Sequence, residues 1–274
     1  MSSPDSRLRH LASKQAGGAL LVLMLVLVLS VSSLLLSGLD KNSRYRENQI
    51  QTSQALATAK ESLINFALLS DKIAASPGIG YLPCPDTNGD GVSNTPCGNI
   101  GDSVEGWLPW QTLGDKALTD GHGVCLRYAV SGNYKIAPST PLVKSPPTTG
   151  HFVIHDENNS VRVGNTTSEY ALAVVFSPAT AVTSQSRGLG GGSATICGSS
   201  VTSAAKNRAS NYLDQLNNVN NANGTYSGAG VPGSSPLPTS NASVFIQADS
   251  KDNFNDTLIW LNPTDFATVY SRMP

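Results

Sequence analysis

Gly18 to Leu39 reads GALLVLMLVLVLSVSSLLLSGL, a run without charge, proline, asparagine or glutamine. A helix rising 1.5 Å per residue needs about 20 apolar residues to cross a bilayer, and this run is long enough. Ahead of it lies a short leader with Arg7, Arg9 and Lys14 that ends in Lys14-Gln15-Ala16-Gly17. Basic residues stay on the cytoplasmic side, so everything after Leu39 is expected to be exported. An ordinary cleaved signal peptide has an apolar core of about 7–15 residues followed by a small-x-small site. This run is longer, and no turn follows it. A lipoprotein signal needs a cysteine directly after the core, and the first cysteine here is Cys84. A plain amino-terminal anchor stays open.

The helical pattern continues past the apolar run. From Lys41 to Leu69, Ile50, Ala57 and Ile64 recur every seven residues. Leu56 with Leu63 and Ala59 with Phe66 widen that stripe, while Lys60 and Glu61 fall toward the other face. A soluble helix with an apolar stripe must bury it, and a sheet later in the chain is the expected cover. Ser76-Pro77-Gly78 is the expected stop.

About 235 residues lie beyond Leu39, enough for one exported domain with its own core. Net charge is -1 and only 14% of residues are charged, so no basic surface for nucleic acid is expected. All four cysteines lie beyond the apolar run, where disulfides are permitted. Four cysteines allow three pairings. Cys84 and Cys97 flank a short Gly/Pro/Asn-rich loop and are the favoured pair, leaving Cys125 with Cys197. Free buried thiols are the alternative. Zinc is disfavoured, because no Cys-x-x-Cys spacing occurs.

Tyr81 to Gly121 reads as a long, turn-rich connection. Strands are expected at Val124–Val130, at Phe152–His155 and Val161–Val163 as a hairpin around Glu157-Asn158-Asn159, and at Tyr170–Phe176 as a central strand. Val244–Gln247 and Leu258–Leu261 read as late strands, Ala204–Leu216 as a short helix, and Thr264–Tyr270 as a closing helix. Thr183–Ser200 and Asn217–Ser240 read as Gly/Ser/Asn-rich loops.

Asp86, Asn88 and Asp90, followed by Gly91, alternate oxygen ligands ahead of a glycine, as calcium loops do. The twelfth position, which carries Glu in an EF-hand loop, is Cys97. Ordinary turns use the same residues, so calcium is one reading and a turn the other. No Gly-x-Ser-x-Gly or His-Glu-x-x-His pattern occurs, and His122, His151 and His155 have no companion motif, so an enzyme is not expected. Trp107, Trp110 and Trp260 read as core or loop anchors before they read as an adhesive patch.

Taken together, these segments resemble type IV pilins and the pseudopilins of type II secretion. The resemblance rests on Lys14-Gln15-Ala16-Gly17 before Gly18-Ala19-Leu20-Leu21-Val22, on the apolar-to-amphipathic helix, and on Ala55 to Ala67. Gly80-Tyr81-Leu82-Pro83-Cys84-Pro85-Asp86-Thr87-Asn88-Gly89-Asp90-Gly91, Leu108-Pro109-Trp110-Gln111-Thr112-Leu113-Gly114 and Phe254 to Leu261 are similar to a subgroup of pilin-like proteins from Gram-negative bacteria. It implies cleavage by a prepilin peptidase between Gly17 and Gly18, and methylation of the new terminus. It implies an α+β, pilin-like fold, one long helix packed on an antiparallel sheet with long loops. The implied organisation is a leader at 1–17, a membrane and filament-core helix at 18–39, an amphipathic half at 40–75 and an exported β-rich head at 76–274. The expected partners are other pilin or pseudopilin subunits, the peptidase and the inner membrane, with the head in the periplasm before assembly. One departure matters: most members carry Glu where this chain has Val22. That carboxylate is thought to pair with a neighbour's terminal ammonium inside the apolar bundle, where a lone charge is costly. Its absence points to a minor, tip-type subunit, and it also leaves the plain anchor open.

Overall fold

The computed structural model describes residues 8–73, 76–187, 197, 207–226 and 243–274, with side chains described outside 8–17, 34–42 and 225–226. The protein is mixed α+β, with a helix and antiparallel sheets. It divides into two compact units, Met1–Gln49 and Ile50–Pro274. The described part of the first is helical and belongs to α1 (Leu8–Leu69).

Among the described residues the second unit holds the last turns of α1 and ten strands. They are β1 (Val104–Trp107), β2 (Arg127–Val130), β3 (Phe152–His155), β4 (Val161–Val163), β5 (Ala173–Ser177), β6 (Gln215–Leu216), β7 (Val219–Asn220), β8 (Thr225–Tyr226), β9 (Ser243–Ile246) and β10 (Thr257–Leu261). A short helix α2 (Ala267–Arg272) closes the chain. The main sheet runs β1-β2-β5-β10 and is antiparallel throughout. A second sheet runs β4-β3-β9, antiparallel at β3–β4 and parallel at β3–β9. A small antiparallel meander, β6-β7-β8, completes the set.

Strand β5 shows why these layers form. Every residue in it is buried, as expected of a strand covered on both faces. Ala173 and Val175 point to one face, with Tyr128 and Val130 of β2 and Leu261 of β10. Ala55, Leu56, Ala59, Leu63 and Ala67 of α1 pack onto that face, joined by Phe266 and Val269. Val174 and Phe176 point to the other face, where Phe152, Ile154 and Phe245 of the second sheet meet them. Phe176 and Phe245 cross edge to face at 5.0 Å. Burying a Leu or Phe side chain in such a layer stabilises by about 1.5–3 kcal/mol.

The expected stripe of α1 is buried in part. Leu56, Ala59 and Leu63 are buried, joined by Ala67, and Ile64 and Phe66 are half-buried, whereas Ile50 is 59% exposed and Ala57 is exposed. The sheet selects the side with small residues at the crossing, because alanines let the helix axis approach closely. Lys60 leaves the solvent side to pair with Asp265 at 2.8 Å. The helix ends at Leu69, where its pattern ends and ahead of the expected Ser76-Pro77-Gly78 stop, and a 3-10 turn over Ser70–Lys72 follows. Gly80 N–H donates to Ala67 O at 2.9 Å and Tyr81 N–H donates to Ser70 Oγ at 3.3 Å, so the chain has turned back onto the helix end by Gly80.

Three further differences have physical causes. Strand β1 lies inside the stretch read as connection. Its Glu105 and Gly106 break the apolar pattern, and its pairing with β2 depends on Arg127 across the ladder. Of the helix expected over Ala204–Leu216, residues 204–206 lie outside the described residues and Asn207 is helical, but the chain then holds a 3-10 turn at Ala209–Asn211 and β6 in place of a continued helix. Asp214 ends the helical option by accepting hydrogen bonds from Gln185 and Asn255. The loop read over Asn217–Ser240 contains β7 and β8, and Asn217 and Asn218 adopt left-handed φ values of 47° and 67° to turn the chain into them. Residues 188–196, 198–206 and 227–242, where much of the two Gly/Ser/Asn-rich loops falls, lie outside the described residues, as do the first seven residues of the leader.

Candidate functional site

In the first unit, the apolar side chains from Leu20 to Val31 are all between 51% and 72% exposed. They cover the helix on every side, so no single stripe faces a core. Ser30 is the polar exception, and its Oγ donates to Leu27 O at 2.9 Å, closing its hydrogen bond within the helix. Among the described residues no helix is long and apolar enough to cross a membrane. The run Gly18–Leu39 is described by its side chains only as far as residue 33. Gly17 and Gly18 are both helical, and a Cβ built on Gly18 meets nothing within 4 Å.

In the second unit, Cys84 pairs with Cys97 and Cys125 with Cys197. The first bond closes the loop that carries Asp86, Asn88 and Asp90. Asp86 is buried, and its carboxylate accepts N–H bonds from Asn88 at 2.8 Å, Gly89 at 2.7 Å and Gly91 at 2.6 Å. Burial raises its pKa against the pull of those donors, and Asp90 adds to the rise. Asp90 accepts from Val92 N–H at 2.8 Å and from Asn88 Nδ2 at 2.9 Å. Most of the hydrogen bonds these oxygens accept come from backbone N–H groups of the same loop. Among the described residues no group of three His, Cys, Asp or Glu side chains suits a metal ion. The geometry is that of a turn built from Asp and Asn side chains. The indole of Trp110 lies over Gly91, whose φ is +88° and whose absent Cβ would sit 2.4 Å from the ring. Trp107 is buried, and Trp110 and Trp260 are half-buried with each packed against a core cluster.

Three polar clusters inside the head escape sequence reading. Asp120, fully buried, accepts from His122 N–H, Val124 N–H, Ala179 N–H and the Ser177 hydroxyl at 2.8 to 3.0 Å. Its loop is also tied to α1, since Gly121 N–H donates to Thr52 Oγ1 at 2.9 Å. Arg127 makes two hydrogen bonds to Glu105, at 2.5 and 3.0 Å, and its guanidinium lies 4.3 Å from the centre of the Trp107 ring. Burial pushes the Glu105 pKa up while Arg127 pulls it down. In the third cluster Asp256 accepts from Asp214 N–H at 2.8 Å and from Asn221 Nδ2 at 2.9 Å. Burial, then the Asp214 carboxylate, holds the Asp256 pKa well above its ordinary value. The short motifs Asp120-Gly121 and Asn255-Asp256 signal turns, and nothing in their spacing signals that they converge.

Among the described residues His122, His151 and His155 lie apart in different environments. Ser103 Oγ lies 3.0 Å from His151 Nδ1 and accepts Gly132 N–H at 3.2 Å. No carboxylate among the described residues hydrogen-bonds His151, and burial lowers its pKa. His122 is exposed and His155 buried. A cavity of about 380 Å³ lies between Phe66, Ile73, Ser93, Thr95, Thr112 and Ile136, and its lining carries no acid or base. Comparison with known protein families, with curated proteins and with solved structures returns no match.

Proposed function

We propose that this chain is a structural subunit of a type IV pilus or of a type II secretion pseudopilus, a minor subunit suited to the tip, with no catalysis of its own. One observation carries the reading: the apolar side chains from Leu20 to Val31 are exposed on all sides of their helix. Such a surface needs lipid or other apolar helices around it, and moving from one to the other replaces one apolar surrounding with another. Gly18, Ala19, Ser30, Ser32 and Ser33 supply the small residues that close helix packing uses. The basic leader ending at Gly17 supports processing by a prepilin peptidase, insertion in the inner membrane and a periplasmic head. The pilin-like arrangement draws support from the amphipathic end of α1 lying on the antiparallel main sheet. Two disulfides suit an oxidising compartment.

The test is mass spectrometry of the first peptide of the purified protein. A chain beginning at methylated Gly18, and loss of both processing and filament incorporation in Gly17→Leu, is the expected result. An intact leader overturns it and supports a membrane-anchored exported binding protein, the reading that Val22 leaves open. Cleavage beyond Leu39 overturns both.

A further inference from the structure

Lys135 has no exposed surface, yet its charge is not met by a salt bridge among the described residues. Its ammonium donates to Cys97 O at 2.7 Å and to Asn99 O, two carbonyls of the loop that follows the Cys84–Cys97 bond. Asn99 O also accepts Asp102 N–H at 3.2 Å, and Asp102 Oδ2 in turn accepts from Asn99 Nδ2 at 2.8 Å. The Lys135 backbone is fixed on the other side. Its N–H donates to Ser131 O at 3.1 Å, and it bridges Leu82, two residues before Cys84. Cys97 is thus held at both backbone atoms, with its N–H on Ala137 O at 3.0 Å and its carbonyl on the ammonium.

Carbonyl oxygens turned inward onto a buried positive charge are how loops bind hard cations. A buried charge is tolerated only where such partners meet it. We propose that Lys135 is a built-in cation: its ammonium sets the 97–102 loop as a bound metal ion would, so the loop is ordered without a metal. The loop it sets carries Ile100, 69% exposed, at a position available for contact. Burial lowers the Lys135 pKa and the Asp102 carboxylate raises it, in keeping with an ammonium placed among dipoles close to one anion. The inference does not depend on the filament reading.

Hydrogen exchange of the full chain tests it, read at the amides of residues 99–104. In the wild type, protection should be the same in EGTA and in calcium chloride. Lys135→Met keeps the stem and removes the charge, and exchange there should rise by about tenfold or more, from the loss of two charge-assisted bonds. Lys135→Ala should regain protection in methylammonium chloride and not in sodium chloride at matched ionic strength. Exposure of the wild-type loop by EGTA overturns the proposal, as does a Met variant as protected as the wild type, or methylammonium acting no better than sodium. If neither variant folds, lysine-selective ¹⁵N labelling of the wild type decides. A slowly exchanging charged ammonium at neutral pH is expected for Lys135, and a neutral amine overturns the assignment.

Discussion

Replacing Leu63 by Ala tests which side of α1 the main sheet covers. Leu63 has no exposure and lies among Tyr128, Val130, Val175 and Leu261 on the helix-facing side of the sheet. The substitution removes three methyl or methylene groups, about 2.4 kcal/mol of transfer free energy at about 0.8 kcal/mol each. A rigid sheet cannot follow the retreating side chain, so a cavity term adds to that and brings the expected loss to about 3–5 kcal/mol. Ile50→Ala is the control. Ile50 is 59% exposed, and alanine is the better helix former, so stability should change by no more than about 0.5 kcal/mol either way. Urea unfolding followed by tryptophan fluorescence reports on the head, because Trp107 is buried between the two sheets. Midpoints should separate the two variants while the slopes stay equal. Equal losses at Leu63 and Ile50 would refute the face assignment and return the heptad stripe of Ile50, Ala57 and Ile64.

Three other outcomes follow from the same geometry. The double change Cys84→Ser with Cys97→Ser opens a loop with a sequence separation of 13, and chain entropy sets the loss at about 3 kcal/mol; thermal melting of the double variant against wild type checks it. Gly132→Ala places a Cβ 1.9 Å from Gly101 O, a backbone atom with no rotamer to yield, so a loss above about 3 kcal/mol is expected and a melting temperature within a few degrees of wild type would contradict it. For Asp256 the sign is fixed by its raised pKa. The folded state holds the proton more tightly, so stability is full below the ordinary value of 3.8 and falls as pH rises through the raised one. Asp256→Asn keeps an acceptor for Asp214 N–H and Asn221 Nδ2 and cannot ionise, so its stability relative to wild type should improve with rising pH, and parallel pH profiles would count against the buried-acid assignment.

The elements that read correctly from sequence are those whose signal is local. Tyr170 to Phe176 is apolar without alternation, and β5 is the strand covered on both faces. The hairpin of β3 and β4 turns at Asn159, whose φ of 61° suits asparagine. Leu258–Leu261 and the closing helix likewise fall close to β10 and α2. Elements that misread depend on partners far along the chain. Val104-Glu105-Gly106-Trp107 looks like loop until Arg127 neutralises Glu105 and stacks on Trp107. Asp120 looks like a turn residue until Ser177 and Ala179 arrive from the end of β5, 57 and 59 residues away. The parallel pairing of β3 with β9 has no local signature either, because it joins Phe152 to Ser243 across most of the head. The Asp86–Asp90 loop is ambiguous in the opposite sense: its residue types suit a cation, and the same carboxylates suit the backbone N–H groups that they meet here.

The two units differ in what they leave unsatisfied. From Ile50 onward the apolar face of α1 is covered by the sheet of its own chain, and the polar groups beneath are met by Asp120, Thr52 and Lys60. That half gains nothing further from a partner on its buried side. From Leu20 to Val31 the apolar side chains are between 51% and 72% exposed among the described residues, on every side of the helix. Water is therefore the one surrounding this segment cannot keep. A charge at Val22 would make a bundle of such helices selective for a partner of opposite charge, because a lone buried charge costs several kcal/mol. With valine there, apolar contact and small-residue packing are the terms left to hold it. Such contacts do not discriminate strongly between sister helices and lipid. On the proposed filament reading, a subunit held this way would rely on its second unit for a specific place in the assembly.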